Sequence, residues 1–193
     1  TGLDTSSTQS VVFGVGALAQ FTLSHPAASA AGERAEYVVT REDQHGNAVT
    51  TATTTVYLYS SSIGANKKFY NAASGGSVIT SVVIGNGQSS TNAWYYDTLP
   101  GTWSVVASDN ASAPDYNTGV NDAVDSHTVT AGPVARFTLS DPGDMTTNTS
   151  LGYTVTREDQ FNNLVTSGAT TVYLYSDSTG TSTPLFYDTD PPG

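Results

Sequence analysis

The chain has 193 residues, six Lys plus Arg against 17 Asp plus Glu, a formal net charge of −11 and no cysteine. This balance leaves no basic run to follow a phosphate backbone, which argues against nucleic-acid binding, and it removes disulfides, thiolate chemistry and Cys-ligated zinc. No apolar stretch approaches the roughly 18 residues of a membrane span. Aromatics at 10% and abundant β-branched residues nevertheless describe a chain that folds.

In chain order, apolar residues recur with period two, the pattern of half-buried strands. The expected strands run over Leu18–Ser24, Arg34–Glu42, Thr53–Ser60, Val78–Ile84, Asn92–Tyr96, Thr102–Ser108 and His127–Val134, with a short one at Lys68–Tyr70. No stretch combines helix caps with 3.6 periodicity. Phe21, Leu23, Tyr37, Val39, Val56 and Leu58 are the expected inward residues, and Trp103, Val105 and Ala107 alternate in the same way.

Shifting the sequence by 116 residues aligns Ala19–Gly64 with Ala135–Gly180 at 25 identities in 46 positions, a tandem repeat. The reading that follows is all-β, tandem immunoglobulin-like β-sandwich domains incomplete at both ends. Residues 1–16 are the terminal strand region of a preceding repeat, 17–132 a complete repeat, and 133–193 the first half of the next. With no initiator Met and no signal-like start, the chain reads as an interior piece of a longer one. The half repeat would expose Phe137, Leu139, Tyr153, Val155, Val172 and Leu174 unless the parent chain continues or another copy adds strands head to tail. The strand-like stretch at Ser7 is the candidate donor.

The order "PVARFTLS", "DQHGNAVT", "TTVYLYS", "PGTWSVVASD" and "SHTVTAGPVA" resembles the tandem bacterial immunoglobulin-like repeats of invasin and intimin type cell-surface proteins. That resemblance implies serial sandwich domains forming a rod or filament that supports adhesion or fibre formation. Its partners would be neighbouring repeats of the same protein, outside a bacterial cell. A cysteine-free acidic surface rich in Thr, Ser, Asn and Gly agrees with an extracellular place. In the second copy Asn162-Asn163 replaces Gly46-Asn47, a change that Asn tolerates in a left-handed turn.

The pentapeptide TREDQ occurs at Thr40 and again at Thr156. Arg41, Glu42 and Asp43 sit where a strand meets a turn, so the expected role is a turn and junction signature in which carboxylates accept turn N–H groups and Arg pairs across to a neighbour. No catalytic constellation is offered, and the chain is expected not to be an enzyme. The loop from Ser108 to Thr128 gathers Asp109, Asp115, Asn117, Asn121, Asp122 and Asp125. Asp109, Asp115, Asp122 and Asp125 are candidate calcium ligands, since calcium takes six to eight oxygens; Asp43 could join from the adjoining turn, and a solvated acidic loop is the alternative. Tyr57, Tyr59 and Tyr95 are candidate sugar-stacking residues, against cross-strand pairs that stiffen a sheet. His25, His45 and His127 fall in separate loops or strand ends and do not suggest zinc. Lys67 and Lys68 read as loop lysines rather than isopeptide donors, and Asn110 and Asn148 head N-x-[ST] sequons.

Overall fold

A computed structural model describes residues 10–146, 149–179 and 185–188. It divides into two compact units, Thr1–Thr130 and Ala131–Gly193. All regular structure in the described residues is β.

The first unit holds β1 (Gln20–Ser24), β2 (Ala28–Ala30), β3 (Arg34–Glu42), β4 (Thr54–Ser60), β5 (Lys68–Tyr70), β6 (Val78–Ile79), β7 (Ser81–Ile84), β8 (Ser90–Tyr96), β9 (Gly101–Ser108) and β10 (Ala123–Thr130). They form two five-stranded sheets, ordered β1-β3-β8-β5-β6 and β2-β10-β9-β4-β7. This is an immunoglobulin-like sandwich. The inward set follows the pleat. Ala35, Tyr37, Val39 and Arg41 of β3, and Ala93 and Tyr95 of β8, are nearly inaccessible, and they face Val56, Leu58, Val105 and Ala107 of the opposite sheet. Each Val or Leu among them contributes about 1.5–3 kcal/mol of transfer free energy.

Three elements and two core residues depart most from expectation. The strand expected over Val78–Ile84 is two strands: β6 pairs with β5 in one sheet and β7 with β4 in the other, so the chain changes sheets at Thr80, whose carbonyl accepts the Leu58 N–H at 2.9 Å. β2 was not expected. It lies parallel to β10, Thr128 opposite Ala28. β10 starts at Ala123 and ends at Thr130, because Ala123, His127 and Val129 already turn inward along what reads as acidic loop. Leu23 and Trp103, expected in the core, are half-buried. Trp103 pairs with His127, so it keeps the inward face, but it lies at the end of its strand, where its indole N–H donates to the Leu99 carbonyl at 3.1 Å.

The second unit has β11 (Arg136–Leu139) and β12 (Val155–Glu158), paired antiparallel with Phe137 opposite Arg157. That register repeats Phe21 opposite Arg41 in the first unit. The copy of β4, residues 170–176, is not a strand. Phe137, Leu139, Tyr153 and Leu174 are 44%, 56%, 49% and 42% exposed, whereas Phe21, Tyr37 and Leu58 are 3%, 1% and 6% exposed. Val155 and Val172 are half-buried. Residues 10–19 lie outside any strand, with Val11, Val12 and Phe13 exposed.

Candidate functional site

The repeated TREDQ builds a clasp. Asp43 Oδ1 accepts the backbone N–H groups of His45 and Asn47, both at 2.9 Å, while the Asn47 side-chain amide reaches both carboxylate oxygens. The Oδ2 atom also accepts the N–H of Gly16 at 2.9 Å, on the segment leading into β1. The second unit repeats this. Asp159 accepts from Phe161, from Asn163 and, at 2.8 Å, from the N–H of Gly132. Gly46 and its counterpart Asn162 have positive φ, 79° and 72°, as the turn requires. Glycine at 16 allows the close approach, because a Cβ there would lie 3.1 Å from Asp43 Oδ2.

These bonds hold the Asp43 carboxyl well below the usual carboxylate range: the Asn47 side chain first, then the Asn47 and Gly16 N–H groups, against the opposing effect of burial, and last the His45 N–H. For Asp159 burial acts upward and is the largest influence, yet the Asn163 amide and the N–H groups of Gly132, Asn163 and Phe161 together outweigh it and lower the pKa.

Arg41 is fully buried and does not pair with a neighbouring strand's carboxylate. Its guanidinium donates to the carbonyls of Val49, Ala52, Gly85 and Gln88 and to Thr54 Oγ1, at 2.7–3.1 Å. The β3–β4 loop, the β7–β8 loop and the start of β4 are thereby tied to one side chain. Arg157 keeps the equivalent contacts to Gly168 and Thr170.

The acidic loop folds into a compact knot. Asp122 Oδ2 accepts the N–H groups of Asp115 (3.0 Å) and Tyr116 (2.8 Å), Asp115 Oδ2 accepts Asn110 Nδ2 at 3.1 Å, and Asp109 Oδ2 accepts the Val120 N–H at 3.3 Å. One oxygen of each of Asp109, Asp115 and Asp122 lies within 4.8 Å of the others. Asp125 does not join them. It sits on β10 and accepts a hydrogen bond from His25 Nε2 at 2.9 Å, because the alternation of that strand carries it toward β2 and away from the loop. Asp43 is likewise committed to its turn. The loop is anchored by Asn121, which exchanges backbone hydrogen bonds with Ala19 and Phe21.

Tyr57, Tyr59 and Tyr95 do not form one exposed row. Tyr95 is 1% exposed and points into the sandwich, its hydroxyl donating to Asp97 and meeting Ser60, so it cannot stack on a sugar. Tyr57 and Tyr59 are half-buried, and the Tyr59 hydroxyl is committed to the Asn110 carbonyl at 2.6 Å. Sequence reasoning also separated histidines that the fold unites. His127, fully buried, meets Ser29 Oγ at 2.9 Å and His25 Nδ1 at 3.4 Å, and His25 stacks on Tyr37. Burial, then the neighbouring His25, lowers the His127 pKa. The pairing of β2 with β10, which brings this cluster together, has no sequence signal. Lys67 donates to the Ser62 carbonyl, Asn110 lies inside the acidic knot, and Asn148 is outside the described residues.

No family model and no curated protein matches the chain. Among solved structures, it is similar to a CARDB domain from Pyrococcus furiosus, in complex with di-metal ions, with 16% identity, TM-score 0.40, and coverage of 63% of this chain and all of that one. It is also similar to domains 4 and 5 of the S-layer protein SbsC, with 17% identity, TM-score 0.33, and coverage of 60% of this chain and 53% of that one. A third is a conjugative transposon lipoprotein from Bacteroides eggerthii, with 14% identity, TM-score 0.33, and coverage of 55% of this chain and 92% of that one. No helix in the described residues is long and apolar enough to cross a membrane.

Proposed function

We propose that this chain is a non-enzymatic structural segment of a bacterial extracellular surface protein, a row of immunoglobulin-like domains of invasin and intimin type that spaces an adhesive end from the cell or builds a fibre. The observation that carries this reading is the repeated clasp. In both copies an aspartate caps its own turn and takes the N–H of a glycine on the segment leading into that repeat: Gly16 on Asp43 and Gly132 on Asp159. A device spent on the incoming segment serves serial domains, since it restricts the bending of each connection. Pro133, next to Gly132, restricts the same segment further. TREDQ therefore contributes to mechanics and not to chemistry.

Small-angle scattering on the whole chain tests this. The wild type should give an extended particle, and Asp159→Ala should broaden its distance distribution. A wild-type particle as compact as a single globule of 193 residues would overturn the proposal.

A further inference from the structure

We propose that Asp109, Asp115 and Asp122 hold one calcium ion, which locks the loop between β9 and β10 onto the start of β1. Three carboxylates brought within 4.8 Å repel one another, and the loop draws them together with no cationic side chain among their partners. A separate observation says what the space is for. In each of the three, Oδ2 is taken up by an amide or backbone N–H, while Oδ1 is buried from solvent and has no hydrogen-bond donor. A single buried acceptor without a donor is already costly; three of them, on half-buried carboxylates that approach within 4.8 Å of one another, call for a cation.

The donor set selects the ion. It is all oxygen, with neither His nor Cys in the group, so it suits a hard divalent cation. No oxygen pair is farther apart than opposite ligands of one calcium, about 4.6–5.2 Å. Calcium accepts irregular loop geometry, with carbonyls and water completing six to eight ligands, whereas magnesium demands a near-ideal octahedron and keeps its waters. Asp109 follows β9, Asp122 precedes β10, and Asn121 between them exchanges hydrogen bonds with Ala19 and Phe21. An ion here therefore fixes the end of the sandwich that receives the incoming segment. Tyr59 of β4 is drawn in through its bond to Asn110.

The test uses the full chain stripped with chelator and then titrated with calcium chloride, by calorimetry and by thermal melting. The wild type should bind one ion per chain in unit 1, and its melting midpoint should rise by on the order of 10 °C at a hundredfold excess over Kd. Amide exchange at Phe21 and Asn121 should slow. Asp109→Asn and Asp115→Asn should lose the response while melting no lower than wild type in chelator, since each removes a repelling charge. Asp125→Asn should keep the full response. No heat and no shift for wild type at 10-fold millimolar excess, on the order of 10 mM, would overturn the site. So would a response retained by Asp109→Asn and Asp115→Asn, or one lost equally in Asp125→Asn. An equal response to magnesium would overturn the assignment to calcium. If a variant does not fold, the wild-type stoichiometry and the Asp125→Asn control still decide.

Discussion

The carboxylate of Asp43 accepts the N–H of Gly16 at 2.9 Å across 27 residues of chain, while its other oxygen closes the turn at His45 and Asn47. One ionised group thus couples a turn to the segment that enters the domain. Because the folded-state pKa is depressed, the carboxylate's contribution to stability is present above the unfolded value of about 3.9 and is lost as pH falls below it. Asp43→Asn should therefore be less stable than wild type at neutral pH, with the difference shrinking below about pH 4. Acid titration followed by tryptophan fluorescence checks this, and a difference that stays constant down to pH 2 would contradict it.

Arg41 donates to four backbone carbonyls and one hydroxyl, all inside the first unit. Truncation would take the donor from all five acceptors, four of them only part-buried, and leave the space of a fully buried side chain empty. Arg41→Ala should cost about 3 kcal/mol or more in denaturant unfolding. Arg41→Lys should recover only part of this, because an ammonium on a longer stem cannot reproduce the planar fork. A lysine variant as stable as wild type would show that charge alone matters there.

The long strand Arg34–Glu42 and the short one at Lys68–Tyr70 were legible to the residue. What alternation cannot show is which sheet a strand joins. Val78–Ile84 reads as one strand-like run, yet the chain crosses from one sheet to the other at Thr80, a choice made by partners β5 and β4. β2 was invisible because three small residues give no period. In the acidic loop the composition pointed to the right place, but not to the set. Asp125 is close in sequence to Asp122 and opposite in role, since it lies on a strand that turns it toward His25. Arg41 reads as part of a turn signature that pairs across to a neighbour; only the two loops that close on it, β3–β4 and β7–β8, make it a core residue.

His127 is buried between the sheets beside His25, Tyr37 and Tyr95, and its pKa is lowered by that burial. Below about pH 6.5 the unfolded chain binds a proton at this position that the folded chain resists, so stability falls as pH falls, by at most about 1.4 kcal/mol per pH unit. His127→Gln should flatten the stability profile between about pH 6.5 and 5. This window is separate from the carboxylate window of Asp43. Denaturant midpoints measured at half-unit pH steps distinguish the two, and an unchanged slope in the variant would assign the effect elsewhere.

Leu58 and Leu174 occupy the same position in the two copies of TTVYLYS, but the first is 6% exposed and the second 42%. Leu58 is packed because β4 lies between β7 and β9, and its N–H reaches the Thr80 carbonyl. Leu174 lies on a segment without ladder partners among the described residues, beside Tyr173 and Tyr175, which are 75% and 87% exposed. Identical local sequence should therefore give unequal energetics. Leu58→Ala should destabilise the first unit by about 2–5 kcal/mol, whereas Leu174→Ala should change stability by no more than about 0.5 kcal/mol. Backbone amides over 171–175 should exchange with solvent far faster than those over 55–59, because opening the first requires no disruption of a sheet. Chymotrypsin should likewise cut at Tyr173 and Tyr175 before Tyr57 and Tyr59. Equal protection of the two stretches in solution would mean that another sheet covers the second, and a concentration series would then show whether a second copy supplies it.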